Sequence, residues 1–507
     1  MNDLYQIIHT LNSSEKKSLH YFLKCTGTQP KSNIKVAELY KILENRKKAP
    51  TPEELIKKLK LKDKNTLNVY KYRLKQKILD FIILENNIER IKSEDKLNYF
   101  GVKLRKKIAQ FNYLFRNKGT LRILECELNT LINECIKYEI YNIAIDALII
   151  KKQLYTRRKG LKEYYKTSKK IDLLQQTLNV INKGFDFQNY FLAQLEIKNN
   201  QREKELIIEL RNILFELNKD VNQFPSALIK YLIYKFENYY YTLNEDFNTA
   251  REVCIANLSL IQKSPSLLNQ QRIGTTYIDI YTNDINLKEY KRALNNIKFA
   301  LKYFPKQSFN YYKTIETRFM VNCYLKKFSN ASIDLKHLEK LITNKDVVQQ
   351  NSILYYKAYM YFIKNDFKKA NLLLNKKINL TEDIERKDVY FKFLQILLNL
   401  ALDKKILAIQ QCENLERYLK RKPLNENQKR TKLLFKLLKN LANQNFSDIT
   451  LNKTLIKILY PLKSENKLKW QPLSPELCPI DDWLINYFKL EHIEDLVLDE
   501  KIGLKAI

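Results

Sequence analysis

Apolar positions recur along this chain with a helical rhythm, and no stretch sustains the strict alternation of a strand. Residues 1–11 read as a short opening helix. Asn12 and Glu15 make a capping-box pattern that starts a second helix, running to about Cys25. Residues 35–46 read as a third. Thr51-Pro52-Glu53-Glu54 predicts a firm helix start: threonine caps, proline suits the first position, and the acids face the positive end of the helix dipole. That helix runs to about Leu61. Asp63-Lys64-Asn65 turns the chain into a long helix toward Ile88, with Leu67, Tyr70, Leu74, Ile78 and Phe81 on one stripe. Farther on, Asn117-Lys118-Gly119, Arg158-Lys159-Gly160 and Asn182-Lys183-Gly184 predict helix ends, because glycine takes the left-handed C-cap conformation without strain. A charged helix covers 201–222, and Pro225 opens the next.

Between Tyr231 and Leu419 a short pattern returns: an aromatic, two residues, then alanine. It reads Phe247…Ala250, Tyr290…Ala293, Phe328…Ala331 and Phe367…Ala370, with a fainter copy at Lys405…Ala408 and an outlying one at Tyr141…Ala144. The later alanines, from Ala250 to Ala408, are spaced by about 43, 38, 39 and 38 residues, the scale of a helix-pair repeat. A small residue at a constant place in each unit lets two helix backbones approach. The aromatic three positions earlier lies on the same face and fills the gap to the neighbouring pair. One pair cannot hide its apolar stripe, so stacked pairs share a continuous core. The expected fold is all-α: an α-solenoid of helix pairs preceded by an N-terminal helical subdomain. Four segments are expected: 1–90, the N-terminal subdomain; 91–222, degenerate repeats; 223–420, the regular repeats; and 421–507, closing helices and a cap.

These residues resemble the tetratricopeptide repeat. Ala358 and Tyr361 precede Phe367 and Ala370, while Tyr290 and Ala293 are followed by Ala300, Leu301 and Pro305. Tyr281, Phe319 and Asn238 stand where that family has a small residue. The resemblance implies that the first helix of each pair lines a groove for a peptide. Carried over position by position, the groove residues are Lys235 and Tyr239, then Lys313 and Met320, then Tyr355, Tyr359 and Phe362. Aromatics interleaved with lysines suit an extended peptide that carries carboxylates. Ser14-Glu15-Lys16-Lys17 with Tyr21-Phe22 also resembles the opening of bacterial helical-repeat proteins of no known activity.

Few residues interrupt these helices: there are 7 glycines and 11 prolines in 507 residues. The net charge of +34 changes the picture, because acids lag far behind lysine and arginine. An anionic partner such as nucleic acid or a ribosome becomes the alternative to a peptide. Residues 1–120 carry about +15 and residues 151–170 about +8. The short helix after Thr51, the tight turn and the basic helix with Lys71, Arg73, Lys75 and Lys77 follow the order of a helix-turn-helix module. Joined to the array, this order resembles peptide-sensing transcription regulators. Lys151, Lys152, Arg157, Arg158, Lys159 and Lys162 form the densest basic run, a candidate phosphate contact. A further basic helix pair is expected around Lys429, Arg430, Lys432, Lys436 and Lys439. Charged helix faces exposed to solvent account for the same residues without a ligand.

Pro461, Pro472, Pro475 and Pro479 gather near both tryptophans, Trp470 and Trp483. Residues 461–507 are therefore expected to cap the array, with Trp483, Tyr487 and Phe488 packing on its last pair; a binding tail is the other reading. The seven cysteines and the four histidines, His9, His20, His337 and His492, show no ligand or redox spacing. No phosphate loop or nucleophile elbow is present. The expectation is a cytosolic protein, neither enzyme nor membrane protein, with no metal and no cofactor.

Overall fold

The computed structural model describes residues 2–11, 13–25, 30–46, 49–82, 96–117, 121–158, 160–195, 200–342, 347–374, 387–424, 428–447 and 453–489. Among these residues the fold is all-α, without a strand. The chain divides into two compact units, Met1–Gln175 and Gln176–Ile507.

The first unit opens with α1 (Asn2–Thr10), α2 (Ser13–Cys25), α3 (Pro30–Glu44), α4 (Pro52–Leu59) and α5 (Lys64–Ile82). Leu19, Leu39, Tyr40, Leu55 and the α5 stripe Leu67, Leu74, Ile78 and Phe81 form one core. The Thr51 cap is present, accepting the Glu54 amide at 3.3 Å, and Asp63 Oδ1 caps α5 by accepting from the Thr66 amide at 2.7 Å. The unit continues with α6 (Lys96–Asn117), α7 (Leu121–Lys137), α8 (Tyr141–Arg158) and the start of α9 (Gly160–Leu195). Gly160, the first residue of α9, has φ 75°.

The second unit holds the remainder of α9 and α10 (Asn200–Gln223), then five consecutive pairs. These are α11 (Ala227–Leu243) with α12 (Phe247–Lys263), α13 (Gln270–Asn286) with α14 (Tyr290–Tyr303), α15 (Phe309–Tyr324) with α16 (Phe328–Leu341), α17 (Val347–Ile363) with α18 (Phe367–Leu374), and α19 (Lys387–Ala401) with α20 (Lys405–Arg421). Each second helix begins at the first residue of the aromatic-x-x-Ala pattern or its lysine variant. Ala250, Ala293, Ala331, Ala370 and Ala408 are all sealed from solvent, as the close-approach argument requires.

The helix end expected at Asn182-Lys183-Gly184 does not exist; α9 runs through it. Gly184 serves a different purpose. A Cβ there would lie 2.6 Å from Leu232 Cδ1, so the glycine lets α9 approach α11.

The turns inside the pairs share one backbone device. Glu245, Lys288, Lys326, Asn365 and Asp403 have φ between 56° and 61°. Each is followed by a residue whose amide reaches back to the carbonyl five positions earlier, as in Asp246 to Tyr241 and Glu289 to Asp284. This is the Schellman closure, normally made with glycine. The same turn, at Glu139 with φ 52°, joins α7 to α8 and precedes Tyr141…Ala144. Side chains in the left-handed region are strained. Lys288→Gly and Lys326→Gly are each expected to stabilise the protein by roughly 0.5–1 kcal/mol, the relief of strain exceeding glycine's greater freedom when unfolded. A urea midpoint that falls in either variant would contradict this.

After α20 come α21 (Lys429–Asn443), α22 (Lys453–Ser464), a 3₁₀ turn (Asn466–Leu468) and α23 (Ile480–Tyr487). Between the 3₁₀ turn and α23 the backbone is irregular, with Leu473 at φ 64°.

Candidate functional site

The first helices of the pairs present Tyr324 on α15 and Tyr355, Tyr359 and Phe362 on α17. Their occupant is the chain itself. The irregular segment 469–479 crosses this face, and α23 continues over it. Tyr324 Oη accepts from the Leu473 amide at 3.0 Å, and Tyr355 Oη donates to the Pro475 carbonyl at 2.6 Å. Tyr359 Oη lies 3.2 Å from the Cys478 carbonyl and accepts from the Cys478 amide at 2.6 Å. Rings finish the contact: Trp470 stands edge-on to Tyr324 at 5.5 Å, and Trp483 lies 5.3 Å from Phe362. Tyr487 donates to the Leu400 carbonyl of α19 at 2.7 Å, and Phe488 stacks on Phe446 at 6.2 Å. Burial pushes the Tyr359 hydroxyl well above its ordinary pKa and the Cys478 thiol up to about 12.

The tyrosine, tryptophan and proline positions follow from ordinary needs. A non-helical backbone must have its amides and carbonyls satisfied when buried. Tyrosine supplies a hydroxyl that both donates and accepts at the tip of a large apolar ring. The prolines at 472, 475 and 479 remove amides that would otherwise need partners.

Charge closes the arrangement. The Arg430 side chain, 11% exposed, makes a bidentate pair with Glu476, with Nε to Oε2 and Nη2 to Oε1 both at 2.7 Å. It also reaches Asp481 at 2.7 Å and the Leu468 carbonyl at 2.6 Å. Glu476 Oε1 accepts from the Ile480 amide at 2.8 Å, and Lys463 pairs with Asp481 and Asp482. Burial disfavours the Arg430 charge, yet Glu476 and Asp481 outweigh it and raise the pKa. Burial raises Glu476, with Arg430 pulling it back.

The expected groove residues fall into three situations. Tyr355, Tyr359 and Phe362 do lie together on the first-helix face, but each is at most 2% exposed, so the expectation of an open groove here is corrected. Lys235 and Tyr239 are likewise taken. Lys235 is buried, and although burial opposes its charge, Asp279 at 2.6 Å holds the ammonium protonated. Tyr239 stacks on Phe191 of α9 at 4.9 Å. Lys313 pairs with Glu316 at 2.7 Å, and with Met320 it lines a cavity of about 120 Å³ between α15 and the segment around Ser474 and Pro475.

Of the residues expected to pack on the last pair, Tyr487 meets α19 there, whereas Phe488 stacks on Phe446 beyond it. Trp483 packs on Phe362 of the fourth pair, one pair before the last, because the irregular segment preceding its helix is held on the tyrosine-rich face. Arg430, expected on a basic solvated helix, is the buried anchor of the segment. Tyr324, Glu476, Cys478 and Asp481 were not anticipated. The cluster of prolines and tryptophans marked their neighbourhood but not the face it would meet.

On α5, Arg73 and Lys75 are exposed and flank the face of Tyr72, itself 64% exposed. Lys71 and Lys77 are half-buried, and burial lowers the pKa of each. In the basic run, Lys151 bonds Asn129 Oδ1 at 2.6 Å and Lys152 lies 5.2 Å over the Tyr164 ring. Arg157 and Arg158 close α8 with side chains outside the described residues, and Lys159 lies outside them entirely.

Among the described residues, Cys126, Cys135, Cys254, Cys323, Cys412 and Cys478 are free thiols, and no helix is long and apolar enough to cross a membrane. Compared with protein-family models and with curated proteins, the chain matches none.

Proposed function

We propose that this protein is a non-catalytic scaffold or adaptor that holds a peptide segment of a protein partner against the first helices of its array. The observation that carries this is how Tyr324, Tyr355 and Tyr359 grip main-chain groups of segment 473–478. A face whose tyrosine hydroxyls bond main-chain groups, with rings beside them for apolar side chains, suits an irregular chain segment. The free thiols fit a reducing compartment, and we place the protein in the cytosol.

A second reading rests on α5. Exposed Arg73 and Lys75 beside Tyr72 combine charge for phosphate with a ring for a base, so the first unit would contact nucleic acid.

One experiment separates them. Affinity purification from the native cell, with and without nuclease, compares the wild type with a Tyr355→Phe, Tyr359→Phe variant that loses only two hydroxyls. The adaptor reading expects proteins that survive nuclease and whose recovery changes several-fold in the variant. Recovery that nuclease abolishes and the variant leaves unchanged would favour nucleic acid and sink the adaptor.

A further inference from the structure

Resting on the adaptor reading, we propose that residues 470–483 are an exchangeable occupant of the first-helix face, and that the partner replacing them carries an acidic, proline-bearing segment of irregular chain that leads into a helix start. Three observations carry this. The array recognises the resident through main-chain groups of Leu473, Pro475 and Cys478, which another segment supplies equally well. Selectivity is concentrated in two cations. Arg430 takes Glu476 and Asp481, and Lys463 takes Asp481 and Asp482, so three resident carboxylates face two basic side chains. A neutral segment would leave the buried guanidinium without counter-charge, which is costly; an acidic one restores it. The resident also underfills its place. The cavity of about 120 Å³ beside Ser474 and Pro475 is bordered by Lys313, Glu316, Lys387 and Met320, so a partner with a larger side chain there gains contacts the resident lacks.

Tethering explains why the resident holds the face when no partner is present. A covalently attached segment acts at an effective concentration of about millimolar, which a weak free segment cannot match. A partner that also fills the cavity, or is itself held nearby, overcomes it.

The test uses the full chain and a fluorescent synthetic peptide with the sequence of Trp470–Ile485. In a loosened chain, Glu476→Gln with Asp481→Asn, the peptide is expected to bind at least tenfold more tightly than to the wild type. A peptide with the same two acids neutralised is expected to bind the loosened chain at least tenfold more weakly. In the wild type, hydrogen exchange at the Leu473, Cys478 and Ile480 amides is expected to be at least 100-fold faster than in the core of α17. This last measurement does not depend on any variant folding.

Exchange of those amides only at the rate of α17 would overturn exchangeability, as would equal peptide affinity for the two chains. Equal binding of acidic and neutralised peptides would overturn the acidic class and leave the adaptor reading standing. Binding of neither peptide to a folded, loosened chain would remove both. A loosened chain that forms a dimer by light scattering would make the occupant a second copy and overturn the partner proposed.

Discussion

Arg430→Met is expected to lower the unfolding free energy of the second unit by roughly 3–5 kcal/mol at neutral pH, the usual cost of removing one partner from a buried ion pair. Methionine keeps much of the volume, so the loss is electrostatic. Glu476 and Asp481 side chains are 1% and 3% exposed, and water cannot replace the guanidinium. The Leu468 carbonyl loses its donor as well.

The pH dependence has a definite sign. In the wild type, burial raises Glu476, with Arg430 opposing it; Asp481, also penalised by burial, is held below its ordinary value by Arg430 and Lys463. The depressed Asp481 contributes stability above its unfolded pKa, and that contribution is lost as pH falls through its folded value. Removing Arg430 raises both carboxyl pKa values in the folded variant, so the variant binds more protons as pH falls. Its deficit is therefore largest near neutrality and shrinks toward pH of about 4, where neutral carboxyls are cheaper to bury. Urea unfolding of both proteins at pH 7 and pH 5 checks this. A deficit that grows on acidification would show that the guanidinium does not neutralise these carboxylates.

Ala293→Leu with Ala331→Leu is expected to cost roughly 2–6 kcal/mol in sum, about 1–3 for each overpacked site. Both alanines are sealed at the start of a second helix, where the pair closes. Neither site has room for three more carbons, so α14 and α16 must move away from their partners. With a total margin of about 5–15 kcal/mol, the double variant approaches the threshold of folding. Circular dichroism through a urea titration reads the loss. Exposed Lys291→Leu, two positions before Ala293, serves as the control and is expected to stay within about 0.5 kcal/mol. A double variant as stable as the wild type would mean that alanine does not set the spacing of these helices.

Much of this architecture was legible because it is periodic. The aromatic-x-x-Ala pattern gave the spacing of the helix pairs and the alanine buried in each, since close backbone approach demands a small residue in each unit; that each second helix starts at its first residue only the structure shows. Thr51 and the α5 stripe were equally readable, being local. Gly184 misled because a glycine after asparagine and lysine looks like a C-cap; only Leu232, distant in sequence, shows why it is mid-helix. The left-handed turns were invisible for the opposite reason, with Glu245, Lys288, Lys326, Asn365 and Asp403 standing where glycine would have announced them. The covering of Tyr355 and Tyr359 depends on a pairing across more than a hundred residues, and no local pattern encodes which face an irregular segment will choose.

The bond between Tyr355 and Pro475 joins residues 120 apart in sequence. At a synthesis rate of about 5–20 residues per second, roughly 6–24 s pass between the emergence of the tyrosine and that of its cover. During that interval the growing chain displays an uncovered row of tyrosine rings to its surroundings. The newborn molecule is thus stickier than the finished one until segment 469–479 emerges and acts as a built-in chaperone for those rings.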